Sequence, residues 1–398
     1  MKNLRVFSEK VPIKNKKILL RLDLNVPIKN KKIVDDTRIK VVQPLIKSLI
    51  KKKAKVIIIS HLGRPKGKKI SRLTLKPIYD YFQKKLKFKI KFYRGKINHL
   101  TLSSAEKLKS GQILLLENIR FNKKEEHNDK NFAKKLANIG DIFINEAFSC
   151  SHRKQASVHM ITKFVESYCG PLFKKEVDSI SYLLKNKKRP VTCIIGGSKI
   201  STKINVLINL IRNSDNLIVV GAMANNFIKF DNFNTGLSLV ENNTKKIIKK
   251  IKTFSKKNNC KVITPTDYLV GKTFNGKAIY RKIDSVENDE IILDVGKKSI
   301  SKIFEIIKRS KTIFWNGPVG YYENINFMKG TKSLAKRISE RTQKGSLISI
   351  VGGGDTIAAI KKAKVKSVFT HLSTAGGAFL ESLEGKELPG IKVLKNNL

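Results

Sequence analysis

Short apolar runs alternate with amphipathic stretches along almost the whole chain. The runs are Ile18–Val26, Val56–Ser60, Ile113–Leu116, Ile142–Ile144, Val191–Ile195, Leu217–Val220, Lys261–Thr264, Thr312–Trp315 and Leu347–Val351. Between many of them apolar residues recur at helical spacing, as in Ile39, Val42, Ile46 and Leu49, and in Ile200, Ile204, Leu207, Ile208 and Ile211. Near-continuous apolar strands separated by such helices predict parallel sheets covered on both faces. That is the α/β class of doubly wound, Rossmann-like domains.

The strands are too many for one ordinary sheet. A polar, basic break ending in proline, Asn186–Pro190, follows a predicted helix over Pro171–Leu184 whose apolar side carries Leu172, Val177, Ile180 and Leu184. The pattern therefore predicts two domains, 1–170 and 191–379, with residues 171–190 as the connecting helix and hinge. No internal repeat stands out.

Open α/β sheets bind ligands beyond the carboxyl ends of their strands, so polar residues just after the apolar runs are the ones to read. In the first half these are Arg21-Leu22-Asp23-Leu24-Asn25, His61-Leu62-Gly63-Arg64-Pro65, Glu117-Asn118-Ile119-Arg120 and the His152-Arg153 pair, with Arg38 opening the first helix. Several arginines at one sheet edge suit a small polyanion, because the planar guanidinium bonds two oxygens of a phosphate or carboxylate at once. Asp23 and Asn25, two apart on an extended segment, share a face and suit a substrate hydroxyl.

The second half offers glycines instead. Gly196-Gly197-Ser198-Lys199 ends a strand, with Lys203 four residues on and expected on the same helix face. Gly352-Gly353-Gly354-Asp355-Thr356 ends another, placing backbone N–H groups and one carboxylate where a nucleotide phosphate and Mg²⁺ would be held. Gly376-Gly377 is a third candidate helix start for an anion. The Gly-Lys-Thr at Gly271–Thr273 is no Walker A loop, since Thr266 stands where its first glycine belongs, and there is no GxGxxG fingerprint.

Composition changes this picture little. The 398 residues carry 82 Lys+Arg against 31 Asp+Glu, a formal charge of +51. The lysines are spread through loops and helix faces among many Ile and Asn, as in Lys245–Lys250, which is the mark of an AT-rich coding bias. Without basic patches interleaved with aromatics, no specific nucleic-acid partner is expected. Mutual repulsion of so many cations should make the fold more stable in moderate salt than in low salt. Cys150, Cys169, Cys193 and Cys260 match no metal spacing, no secretory signal opens the sequence, and no run is long enough to span a membrane. A cytoplasmic, membrane-free protein with reduced thiols is expected.

A polyanion site in one domain and a nucleotide-phosphate site in the other suggest phosphoryl transfer. That chemistry needs alignment and charge neutralisation more than a covalent intermediate, and an ionised carboxylate acceptor needs no general base. At this point the sequence resembles the phosphoglycerate kinase family over essentially its full length. The matching stretches are Arg21–Pro27, His61–Pro65, Leu116–Phe121, His152–Arg153, Gly196–Lys203, Trp315–Pro318 with Glu323, Gly352–Thr356 and Ser373–Ala378 with Glu381.

The resemblance implies Mg²⁺-dependent transfer between 1,3-bisphosphoglycerate and ADP, giving 3-phosphoglycerate and ATP, in a monomer that works by hinge closure. It implies that Asp23, Leu24, Asn25, Arg38, His61, Leu62, Gly63, Arg64, Arg120 and Arg153 hold the phosphoglycerate, with Arg21 adding to the basic patch. It places the nucleotide on Lys203, Glu323, Gly353, Gly354, Asp355 and Thr356, with Asp355 near the metal. Arg38 and Lys199 would neutralise the phosphoryl group in flight, and the C-terminal segment, 380–398, would return to the first domain. Three departures from the family pattern are Glu146 for an Asp, Ser149-Cys150-Ser151 for a Gly-containing turn, and Ala375 for the first glycine of a triplet. Val319 and Tyr321-Tyr322 vary the usual residues beside the nucleotide. The Ala375 methyl is expected to crowd a phosphate, so that Ala375→Gly would lower the KM for nucleotide. A kinase of another phosphorylated acid would not require the complete arginine set, and an inactive scaffold would not keep every catalytic residue type.

Overall fold

A computed structural model describes residues 3–395. The chain forms two compact units, one running to Asp178 and resuming at Glu387, the other spanning Ser179–Lys386. The change from one to the other falls inside a helix, Pro171–Ser181, upstream of the polar break at 186–190. That helix stops short of the expected Leu184, and a π-helical turn, Tyr182–Asn186, continues it.

The first unit is built on a six-stranded, all-parallel sheet. Its strands are β1 (Lys17–Arg21), β4 (Lys55–Ile59), β5 (Ile90–Tyr93), β6 (Ile113–Leu116), β7 (Ile142–Asn145) and β8 (Glu166–Cys169), and a two-residue-per-strand hairpin supplies β2 (Ile28–Lys29) and β3 (Lys32–Ile33). The spatial order is β5-β6-β4-β1-β7-β8. Strands β1, β4 and β6 are buried almost end to end, because both faces are covered: one core packs Leu20, Ile58 and Leu115 with Ile39, Val42, Ile46 and Leu49 of helix Thr37–Lys51, the other packs Leu19, Ile57 and Leu114 with Phe132 and Leu136. The C-terminal segment reaches this unit through Leu388, Ile391 and Leu394, all buried, while Gly390 N–H donates to Ser151 O and Arg5 N–H to Leu394 O. Residues 396–398 lie outside the described residues.

The second unit repeats the plan with β9 (Val191–Ile195), β10 (Asn216–Val219), β11 (Lys261–Ile263), β15 (Thr312–Asn316), β16 (Ile348–Gly352) and β17 (His371–Ser373). Their order is β11-β10-β9-β15-β16-β17, again all parallel. A separate antiparallel sheet, β13-β12-β14, joins β12 (Asp267–Gly271), β13 (Ile279–Lys282) and β14 (Ile291–Val295). The apolar-run reading missed this sheet, because Asp, Tyr, Gly, Arg and Lys interrupt its strands. It also ran β1 on to Val26, although the strand ends at Arg21 and the chain turns through Leu22–Val26.

One local expectation is corrected. Lys199 and Lys203 do not share a helix face, since Gly196–Ile200 is loop, Ser201–Lys203 is a 3-10 turn and the helix begins at Ile204.

Candidate functional site

In the first unit, β6, β4, β1 and β7 are consecutive in the sheet, so the loops after their carboxyl ends meet at one edge. Asp23 lies at its centre. Its carboxylate accepts from the Arg38 guanidinium, from the Ser149 hydroxyl and, at 3.0 Å, from the Asn25 N–H. Burial alone would raise its pKa, but these partners, Arg38 foremost, outweigh burial and hold it well below the usual carboxylate range. The Asn25 side chain accepts the Gly63 N–H at 2.9 Å, and Arg120 Nη1 donates to Gly63 O at 2.8 Å. The loop from His61 to Arg64 is thus held on both sides, leaving Arg64 exposed. Arg153 is half-buried, its Nε donating to His152 Nε2 at 3.1 Å.

His61 is almost fully buried and stays neutral. Desolvation pushes its pKa well below the ordinary histidine value, more than the nearby Asp23 carboxylate can offset. Arg120 Nε is buried without a protein partner.

One expected contact is corrected. Arg21 is fully buried, with Nε donating to Ser157 Oγ, Nη1 to Leu22 O and Nη2 to His61 Nδ1, so it supports the basic edge from behind and does not line it. Leu24 and Leu62 place their side chains in the core. The Leu24 N–H already bonds Ser60 Oγ and the Leu62 carbonyl already accepts from Asn118 Nδ2.

The second unit gathers its loops after β9, β15 and β16, also consecutive strands. Backbone approach is close enough to demand glycine. At Gly317 φ is +98° and an added Cβ would collide with the Gly196 backbone, while at Gly353 φ is +101° and a Cβ would lie 2.7 Å from Asn316 Nδ2. Asn316 ties the three loops together: its carbonyl accepts from Gly196 N–H at 2.7 Å, its Nδ2 donates to Gly352 O at 2.8 Å, and its Oδ1 accepts from Lys203 Nζ at 3.4 Å. Lys203 also donates to Gly196 O at 2.7 Å, and burial lowers its pKa against the opposing pull of Asp355. Lys199 is exposed in its loop.

Gly353 caps helix Gly354–Lys362, so Gly354, the exposed Asp355 and Thr356 form its first turn. Thr356 is buried and its hydroxyl is already committed, accepting from Gly317 N–H at 2.7 Å and donating to Gly352 O at 2.9 Å, which leaves only its backbone for a ligand. Asp355 and Glu323 stand at the margin of a cavity of about 390 Å³. Its walls are mostly apolar, with Pro265, Phe274, Ile292 and Tyr321 among them. The sequence signal that found Lys203 and Asp355 also marks Asn316, which directly follows an apolar run, and Asn118, one residue beyond another. Nothing in the pattern marked Ser149 or Phe274.

A family model described as phosphoglycerate kinase matches residues 8–386. The chain is 47% identical over 399 residues to the phosphoglycerate kinase of Buchnera aphidicola (strain Sg), covering 99% of each chain. It is 43% identical over 392 residues to that of Wolbachia sp. (strain wRi), covering 98% of each. Among solved structures it is similar to phosphoglycerate kinase from Coxiella burnetii, with a TM-score of 0.86, 38% identity and 98% of each chain covered. The enzyme from Pyrococcus horikoshii superposes with a TM-score of 0.83 at 29% identity, again over 98% of each chain.

Proposed function

The chain belongs to the phosphoglycerate kinase family, and from that premise we propose which of its residues carry the reaction. The enzyme is a glycolytic kinase that transfers a phosphoryl group to or from a carboxyl group. In our reading the first unit holds 3-phosphoglycerate or 1,3-bisphosphoglycerate on Arg38, His61, Arg64, Arg120 and Arg153, with Asp23 and Asn25 at the substrate hydroxyl. The second holds ADP or ATP, with Lys203 and the backbone of Gly353–Thr356 at the phosphates and Glu323 at the margin of the apolar cavity.

The observation that carries this division is the contrast in donors: guanidinium groups at the strand ends of one unit, glycine backbone and lysine at those of the other. Arg38 and Lys199 are the two cations left to neutralise the phosphoryl group as it passes between oxygens. Transfer is direct and in line, on closure around both substrates, and it needs no base because the acceptor carboxylate is already ionised.

Mg²⁺ fits the residues present. No cluster of three or more potential ligands occurs among the described residues, and Asp355 is an exposed single carboxylate. One carboxylate plus nucleotide phosphates and water is the usual octahedral set for Mg²⁺. When bound, the ion would screen the phosphate charge. The protein would act in the cytoplasm as a monomer on small molecules alone; no helix among the described residues is long and apolar enough to cross a membrane.

The test is a coupled assay of the purified protein with 3-phosphoglycerate, ATP and Mg²⁺. Robust turnover supports the reading. A folded protein without turnover would overturn it.

A further inference from the structure

Arg21, withdrawn from the substrate by its burial, is the middle of a hydrogen-bond chain to which the reaction assigns nothing. We propose that Glu125 and Ser157, acting through Arg21, are positioning residues that fix the tautomer and orientation of His61. The role rests on the reading above that His61 meets the phosphoglycerate.

The directions follow from the middle of the chain, since the Arg21 guanidinium only donates. At the far end Glu125 accepts the Ser157 hydroxyl at 2.6 Å on Oε1 and the Ser157 N–H at 2.9 Å on Oε2. The hydroxyl proton is thereby committed to Glu125, and the oxygen presents its lone pairs to Arg21 Nε–H at 3.0 Å. A guanidinium only donates, so His61 Nδ1, 3.3 Å from Arg21 Nη2, must be the bare acceptor nitrogen. The neutral ring then carries its proton on Nε2, which lies 4.0 Å from Asp23 Oδ1 on the substrate side.

On the other side of the ring the Asp23 carboxylate favours the same tautomer, with the proton on Nε2. Cys150 Sγ, 3.9 Å from Nδ1, is a thiol kept neutral by burial, and its weak S–H donor is compatible with a bare Nδ1. Arg21, Ser157 and Glu125 are fully buried and His61 is 4% exposed, so water does not compete. Burial raises the Glu125 pKa above the ordinary carboxylate value, and Arg21 is the foremost charge opposing that rise.

The experiment is ¹⁵N-edited NMR of the histidine rings in the full chain, with His61→Gln to assign the signal, alongside steady-state kinetics. Free wild-type enzyme should show His61 protonated on Nε2 and bare on Nδ1; a proton on Nδ1 overturns the proposal without any variant having to fold. Ser157→Ala and Glu125→Gln should convert the signal to a tautomer mixture and raise the KM for 3-phosphoglycerate about tenfold, with the KM for ATP unmoved. Ser157→Thr, which keeps the hydroxyl, should restore both. A folded Ser157→Ala enzyme with the wild-type tautomer and KM sinks the idea. Adding 3-phosphoglycerate to wild type should shift the His61 signal. No shift would overturn the substrate assignment of His61, an outcome separate from the tautomer seen in the free enzyme.

Discussion

The two units solve the same problem, holding an anion at the edge of a parallel sheet, with different materials. The first fixes side chains. Asp23, Arg38, Ser149 and Asn25 bond one another, and Glu125, Ser157, Arg21 and His61 stand behind them, so that the charges are in place before any ligand arrives. The second fixes backbone. Asn316 and Thr356 stitch three glycine-bearing loops together, and the exposed Lys199 and Asp355 project from that frame. A buried side-chain network should tolerate conservative changes and respond to charge. A backbone cradle should respond to volume.

The largest expected effect is common to both units. Arg38→Ala and Lys199→Ala should each lower kcat by about 100-fold or more if the cations act chiefly in the transition state. Steady-state kinetics check this: a mere rise in KM at unchanged kcat would reassign either residue to ground-state binding. The next effect separates the units. Gly317→Ala puts a Cβ into the Gly196 backbone at a positive φ, so the KM for nucleotide should rise about tenfold and affinity for 3-phosphoglycerate should stay put. Titration calorimetry showing both affinities weakened together would break the comparison.

The sequence showed the side-chain site less well than the backbone one, for a physical reason. Glycines and acids directly after apolar runs are local signals, and Gly353, Gly354 and Asp355 stand where the pattern put them, at the start of a helix. The Arg21 error shows the limit: a strand-end arginine reads the same whether it faces ligand or is turned inward. Only Ser157 and Glu125, more than a hundred residues away in sequence, decide which. The antiparallel sheet was lost because its strands are short and interrupted by Asp267, Gly271, Arg281 and Lys282, so neither apolar continuity nor clean alternation marks them. Helical spacing also overreached, since Lys199 and Lys203 are four apart on a segment whose helix has not yet begun.

Each unit also buries against backbone N–H groups a carboxylate whose pKa is pushed far up, and these two give a pH test. Glu146 accepts from Leu172 and Phe173 at the start of helix Pro171–Ser181, and Asp294 accepts from Val295 and from Gly330 in the first turn of helix Lys329–Gln343. Burial pushes both up to about 7 despite those bonds. A carboxyl whose folded pKa lies above its unfolded value binds more protons when folded. Its stabilising contribution is therefore complete below the unfolded pKa and lost as pH rises through about 7. Glu146→Gln should remove about 3 kcal/mol of that pH dependence between pH 4.5 and 7, and Asp294→Asn a similar amount. Denaturant melts across that range check it, and parallel curves for wild type and variants would rule out both shifts.

The smallest expected effect revises an expectation. Ala375, standing where the family carries glycine, looked placed to crowd a phosphate. Its side chain is 4% exposed, its φ is not positive, and its N–H donates to Ser373 Oγ at 3.3 Å. A methyl packed inward on ordinary backbone does not stand over the anion, so Ala375→Gly should leave the KM for nucleotide within about twofold. The cost should appear instead as stability, roughly 0.5–1 kcal/mol from the freer unfolded chain, read as a drop of a few degrees in Tm. The comparison is sharpened if the glycine turns nearby respond to added volume while Ala375 is indifferent to its removal. A fall in KM well beyond twofold, with Tm unchanged, would mean the methyl does face the phosphate and that the backbone cradle extends to the loop after β17.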